Sequence, residues 1–271
     1  MEIKSFIKEQ YRRARVASRR LRWYIQPYYF RKGRYKKSFL NNSIHLPTIK
    51  IENVKPIIYC FWTGENEMSE NRKKAFTSLK ENCGVEVKLI TIHNLDDYIL
   101  SDFPLHKAYP YLSHVHKSDY LRCYFMHHYG GGYSDIKATS NSWKEAFQAF
   151  NKDSESWAMG YREVSKGMTA QLLGTIGIDI RENYSLLIGN CAYIFRPATY
   201  FTQEWYNELH KRLDGFYENL KQNKGNIMGD NEGYPIEWTE ILGDIFHPLC
   251  LKYHNKLVYT ELLLPDFSNY R

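Results

Sequence analysis

VHKSDYLRCYFMHHYGGGYSDIKA, residues Val115 to Ala138, reads as a helix, a glycine turn and a short strand that ends on a carboxylate. Leu121, Tyr124, Phe125 and His128 recur at i, i+3, i+4 and i+7, the spacing of one helical face. Asp119, Arg122, Cys123 and Met126 fall on roughly the opposite side. Gly130, Gly131 and Gly132 turn the chain, and Tyr133-Ser134-Asp135 follows at once. A strand carrying an acid at its tip holds that carboxylate at the rim of an open sheet, where α/β proteins bind their ligands. Taken alone, Asp119 and Arg122 are equally well an ordinary i,i+3 ion pair on a helix. Their helix runs directly into the turn and Asp135, which makes all three candidates for one site.

Working upstream, Pro56–Trp62 is a continuous apolar run, as a strand buried on both faces should be. Thr63-Gly64 ends it, Ser69 opens a helix to about Leu79, and Val85–Ile92 supplies a second strand. Strand, helix, strand in so short a span is a βαβ unit and predicts a parallel sheet with helices on its faces. No P-loop or GxGxxG follows the first strand. Downstream, Trp143–Phe150 reads as a helix, Ser156–Tyr161 as a strand, and Leu186–Phe195 as a strand interrupted at Gly189-Asn190. Pro197 is expected to open a long amphipathic helix bearing Phe201, Trp205, Leu209, Leu213, Phe216 and Leu220. Residues 162–184 give mixed signals and are left unassigned, a flexible substrate loop being one reading, and Gly225–Gly233 is read as a loop. Ile236–Ile245 is read as a last helix ending near His247-Pro248, and Lys256–Leu264 as an edge strand.

The chain has 271 residues, 43% hydrophobic and 16% aromatic, which supports one packed core with an extension and excludes general disorder. Five dispersed cysteines, none in CxxC spacing, argue against a disulfide framework or zinc ribbon and fit a reducing compartment. No run is long and apolar enough to span a bilayer, and charges near the N-terminus are unlike a signal peptide. The net charge of +7 is unevenly placed: residues 1–40 hold 13 Lys and Arg against 2 acids, so the rest is mildly acidic. That basic segment, with Trp23, Tyr24, Tyr28, Tyr29 and Phe30 interleaved, matches a peripheral anchor on an anionic membrane. It also suits a phosphate-binding nucleic-acid arm, or a plain solvated helix.

An apolar strand ending in Phe61-Trp62, then Ser118-Asp119-Tyr120-Leu121-Arg122, then Tyr129 through Lys137 (YGGGYSDIK) form an ordered pattern. It resembles the DXD-motif sugar transferases, which include capsular-polysaccharide and yeast mannosyl transferases and, distantly, the large clostridial glucosylating toxins. The resemblance covers roughly residues 55–140. It implies a GT-A fold: α/β, a Rossmann-like, mostly parallel sheet with helices on both faces, here over residues 49–271 after a basic arm at 1–48. It also implies a nucleotide-sugar donor, usually UDP-linked, and retention at the anomeric carbon. By the same resemblance Trp62 lies by the uracil and Phe61 belongs to the donor-binding set, Asp119 and Arg122 hold the donor sugar, and Tyr133 lines the diphosphate site. Asp135 is then the first DXD aspartate, near ribose, diphosphate and a divalent cation (Mn²⁺ or Mg²⁺).

Lys137 departs from the pattern, standing where the family has its second aspartate. Three readings follow. A metal is held by Asp135 with a later ligand, for which His247, Asp230 and Glu232 are candidates. Alternatively Lys137 itself neutralises the diphosphate as a point charge, or the chain is an inactive sugar-binding relative. Asn190 is a further candidate, since sugar transferases of this fold often place an amide or acid on such a strand below the anomeric carbon. A bulge with Asn in an unusual backbone conformation explains it equally. Glu237 and Glu240, at i,i+3, raise paired-carboxylate hydrolysis, with a solvated helix face as the default. The expectation is a glycosyltransferase building a capsule or O-antigen intermediate. It would work in the cytoplasm, peripheral on the membrane through residues 1–40, with no nucleic acid as partner. The rivals are a non-catalytic nucleotide-sugar binder and a nucleic-acid-binding protein acting through the arm.

Overall fold

Ile57–Trp62 (β1) lies inside a six-stranded sheet, one strand from its edge, and its four inner residues are buried. In the computed structural model, which describes residues 27–36, 38–42, 44 and 51–268, the strand order is β2-β1-β3-β5-β4-β6. β2 is Glu86–Thr91 and β3 is Gly131–Ser134. β4 is Ala158–Arg162, β5 is Ile188–Phe195 and β6 is Leu257–Tyr259. β1 pairs in parallel with β2 and β3, β5 runs antiparallel to both β3 and β4, and β6 lies parallel to β4. Five strands thus share one direction and β5 opposes them. This is the mixed, mostly parallel α/β sheet expected, and it is compatible with a Rossmann-like GT-A fold.

Residue alternation along β1 explains why the run is apolar throughout. Tyr59 and Phe61 point to one layer, and Ile58 and Cys60 to the other. The first layer holds α2 (His114–His128), α5 (Tyr200–Gln222) and α6 (Gly243–Lys252). The second holds α1 (Glu70–Asn82) and α3 (Lys144–Lys152), which bury Ala75, Leu79, Ala146, Phe147 and Phe150. The predicted βαβ unit is β1-α1-β2, with Ser69 capping α1 by accepting the Arg72 N–H.

Three elements differ from their sequence reading. Residues 174–182 form a nine-residue helix, α4, in the stretch for which a flexible loop was one reading. The long helix opens at Thr199, not Pro197: Thr199 and Thr202 cap each other reciprocally, and Ala198 before them takes a φ of 51°. The last helix begins at Gly243, near where the reading ended it, and carries Pro248 inside. A proline normally marks a stop. Here burial of Ile245, Phe246, Leu249, Cys250 and Leu251 outweighs one lost backbone bond.

The expected arm boundary at residue 48 lies outside the described residues, as do residues 1–26. The described residues between 27 and 42 pack on the body through Tyr28, Phe30, Tyr35, Phe39 and Leu40. Tyr35 and Leu40 belong to its core, and Lys252 donates to the Leu40 carbonyl at 3.0 Å. No helix among the described residues is long and apolar enough to cross a membrane.

Candidate active site

Ser113 starts α2 by accepting the His116 N–H, which sets the helix that presents Asp119 and Arg122. Nine of its 15 residues are buried and none is fully exposed, on the face of Leu121 and on the face of Cys123 and Met126 alike. The chain then reverses through Gly130 and Gly131, whose φ values of 64° and 87° are left-handed. A Cβ on Gly130 would meet Pro197 at 2.6 Å and the Phe195 carbonyl at 2.8 Å, so the turn needs glycine for space as well. β3 follows, pinned between β1 and β5, and Asp135 extends its ladder by donating its N–H to the Cys191 carbonyl at 2.8 Å. Asp135 therefore emerges at the carboxyl edge of β1 and β3, the edge at which open α/β sheets bind ligands.

Four charged side chains converge there. Asp135 Oδ1 accepts from Tyr133 Oη at 2.6 Å and lies 3.3 Å from Arg122 Nη2, while Oδ2 accepts from Lys137 Nζ at 2.6 Å. Arg122 Nη2 also lies 3.4 Å from Asp119, and Nη1 donates to the Asn190 carbonyl at 3.2 Å. The guanidinium rests 4.6 Å over the Tyr133 ring, which in turn stacks on Phe61 at 5.6 Å. Lys137 Nζ makes a second bond, to Cys191 Sγ at 3.0 Å. The Asp135 side chain keeps 19% of its surface exposed against 5% for Lys137, so the cluster is reachable on the carboxylate side.

Burial and pairing oppose each other at every member. Burial alone would raise Asp135, but Lys137, Arg122 and the Tyr133 hydroxyl hold it well below the usual carboxylate range. Burial would likewise lower Lys137, yet Asp135 and Cys191 hold it above its ordinary value. Asp119 goes the other way: burial pushes it up to about 6, with Arg122 opposing. Asp135 and Lys137 are thus a committed ion pair, and Asp119 is the carboxylate whose charge is marginal.

Both Asp135 oxygens are already engaged, Oδ1 by Tyr133 and Arg122 and Oδ2 by the Lys137 ammonium. His247 does not join the cluster. Its ring is fully buried, Nδ1 accepts the Ala170 N–H at 2.9 Å, and Nε2 is 3.9 Å from Glu163. Asp230 and Glu232 lie on the exposed 225–233 loop, where Asp230 accepts from Asn226. Among the described residues no group of three or more His, Cys, Asp or Glu is arranged to hold a metal ion. The residues present do not fit a DXD-type divalent cation.

Trp62 ends β1 half-buried, its indole N–H donating to the Asn66 carbonyl at 2.7 Å. Asn190 sits where the β4–β5 register shifts, so the expected irregularity is present, and its Oδ1 is buried without a partner. Arg122 Nε and Tyr193 Oη are likewise buried and unpartnered. Tyr193 and Glu163 were missed in the sequence. Tyr193 packs on Tyr133 at 5.2 Å, and Glu163 follows β4 at the same edge, pushed up to about 7 by burial against the pull of Val164 N–H and Lys137. Tyr193 sits among apolar strand residues and Glu163 in a charged stretch just past β4, and only the antiparallel pairing of β5 brings them beside β3. Glu237 and Glu240 are not a catalytic pair across a cleft: Glu237 lies in an irregular stretch before the turns at 238–242, and its N–H donates to Glu240.

Beyond the start of α2, a cavity of about 570 Å³ is lined by Met228, Asp230, Asn231, Tyr234, Glu237 and Trp238 among others. Tyr234 joins it to the helix, bonding the Ser113 N–H and His116 Nδ1 at 3.1 and 2.8 Å. A cavity of about 520 Å³ near Ile57, Glu86 and Lys144 lies at the opposite edge of β1 and β2, away from every candidate residue.

A family model described as capsular polysaccharide synthesis protein matches residues 8–157. No curated protein and no solved structure matches the chain. The matched span takes in more than half of the chain, including β1, the α2 charge pair, the glycine turn and Lys137, and the chain belongs to the capsular polysaccharide synthesis protein family.

Proposed function

We propose that the protein is a glycosyltransferase that moves a sugar from a nucleotide-sugar donor, UDP-linked, to a glycan acceptor in capsule assembly. The observation that carries this reading is the buried Asp119–Arg122–Asp135–Lys137 cluster at the carboxyl edge of the parallel strands. In sugar transfer the C1–O bond to the diphosphate breaks, the diphosphate leaves with the electron pair, and charge accumulates on its oxygens. Two fixed cations beside that position supply the electrostatic stabilisation which a divalent ion supplies in DXD enzymes. Lys137 acts as the point charge, positioned by Asp135. Arg122 spans the diphosphate and sugar sides, with Asp119 beyond it. The unpartnered Arg122 Nε, Asn190 Oδ1 and Tyr193 Oη suit the hydroxyls of a bound sugar, because buried polar atoms left unpaired are costly.

The acceptor hydroxyl attacks C1 on the face the diphosphate leaves, and its proton passes to a departing diphosphate oxygen, which gives retention. We place the acceptor in the cavity beside Tyr234 and Trp238, and the lipid carrying it at an anionic membrane reached through the basic arm.

The test is a panel of UDP-, GDP- and CMP-sugars with the purified protein, in Mn²⁺ or in EDTA. UDP-sugar binding and slow hydrolysis, equal in both conditions, are expected. Failure to bind or hydrolyse any member sinks the transferase reading, and loss of hydrolysis in EDTA sinks the role given to Lys137.

A further inference from the structure

Residues 167–178, GMTAQLLGTIGI, carry no charged side chain in a protein that is 25% charged. They are nevertheless surface. Leu173 is 90% exposed, Met168 65% and Ile178 55%. The segment forms a short 3₁₀ turn at Lys166–Met168 and the first half of α4. The outward positions of α4 are Gly174, Thr175, Ile178 and Glu182, one face of a helix. Only Glu182, at the far end, is charged, and it is paired with Lys166. A single exposed leucine is ordinary. Three large apolar side chains on one uncharged protrusion mark an interaction surface.

What this surface meets is indicated by its neighbour. Asp179 of α4 is buried and receives Arg34 through two bonds, of 2.5 and 2.8 Å, and the Tyr35 hydroxyl at 2.7 Å. The folded end of the basic segment is therefore clamped to the base of the protrusion. Arg31, Lys32, Arg34 and Lys36 are all exposed there, and Tyr29 is 67% exposed. On its other side the protrusion adjoins the site: Ala170 donates to His247, and a Cβ at Gly243 would lie 3.6 Å from both Ala170 and Asn190.

We infer that the 167–178 protrusion is a membrane wedge. Met168, Leu173 and Ile178 enter the headgroup–acyl boundary of an anionic bilayer, while the clamped segment 31–36 lies against the lipid phosphates. An apolar tip flanked by basic residues is the combination that binds such an interface without spanning it. The wedge extends membrane contact from the basic arm to the folded body. It does not depend on the transferase reading, since vesicle binding needs no turnover.

The test is flotation of the full-length protein with phosphatidylcholine vesicles, with and without phosphatidylglycerol. Wild type is expected to float with the phosphatidylglycerol vesicles, and Leu173→Ser/Ile178→Ser to partition at least ~10-fold more weakly with an unchanged melting temperature. A solvent-sensitive fluorophore on Leu173→Cys is expected to brighten on the same vesicles, which reads insertion even if the double variant folds poorly. The proposal is overturned if the double variant floats like wild type and the label stays in water. It is equally overturned if deleting residues 1–26 abolishes flotation while the double variant does not weaken it. Conversion of a dimer to a monomer by the double variant, with flotation unchanged, would instead make the tip a contact between copies and also overturn it.

Discussion

Lys137 closes on Asp135 at 2.6 Å, and in the proposed function this single side chain is what meets the anionic charge of the donor. Lys137→Met leaves Asp135 buried with Tyr133 and Arg122 only. We expect donor hydrolysis to fall at least ~100-fold, the scale of losing one preorganised electrostatic partner. Stability should fall by about 1–3 kcal/mol, the cost of an incompletely paired buried group. Hydrolysis rates and urea melts on one preparation check both, and an unchanged rate would remove Lys137 from the mechanism. Glu163 gives a pH signature. Its carboxyl is raised to about 7 by burial, so the folded state keeps a proton that the unfolded chain releases near its ordinary value. The associated stability is complete below that ordinary value and is lost as pH rises through 7. Glu163→Gln should thus match wild type near pH 4 and exceed it at pH 8 by up to about 3 kcal/mol. Urea melts across that range decide it, and a constant difference would mean that Glu163 is not protonated in the fold. Asp119, Arg122 and Asp135 were legible because a helical repeat and a strand tip are local features. Glu163 and Tyr193 were not, because their place at the site comes from strand pairing at long range.

The glycine turn between α2 and β3 is where conformation and crowding coincide. Gly130→Ala must hold a φ of 64° and push its methyl toward Pro197 and the Phe195 carbonyl, and should cost about 1–3 kcal/mol. Because the turn aims Asp135, donor affinity should fall along with the melting temperature; full affinity in a destabilised variant would separate the turn from the site. β1, α1, β2 and α5 were readable from apolar periodicity and caps, since burial on one or two faces imposes a 3.6-residue or continuous pattern. α6 was misread for a physical reason. Its proline suggests an end, yet five of its eight buried residues are apolar and lie in the largest core, so packing overrides the backbone preference. α4 was missed because Gly174 and Gly177 disfavour a helix and its outward face, Gly174, Thr175, Ile178 and Glu182, carries too little polar contrast to make a surface helix recognisable.

The described part of the basic segment, between residues 27 and 42, and the body share one core. Leu40 is fully buried in it, so Leu40→Ala should cost about 3 kcal/mol, within the usual range for emptying a leucine site. A urea melt showing no loss would mean that this segment only lies on the surface. The order of charges along the chain, the parallel unit around β1 and the S-D-x-x-R and Y-G-G-x-Y-x-D patterns were determined by the sequence alone, because each rests on neighbours within a few turns of chain. Lys137 was visible as an exception but not as a partner. Its closure on Asp135, the convergence of Arg122 with Asn190, and the clamp of Arg34 on Asp179 were decided only by tertiary structure. The last two join residues on separate elements, with the antiparallel β5 bringing Asn190 to Arg122, while Asp135 and Lys137 are near neighbours in the chain whose pairing follows from their shared burial at the sheet edge.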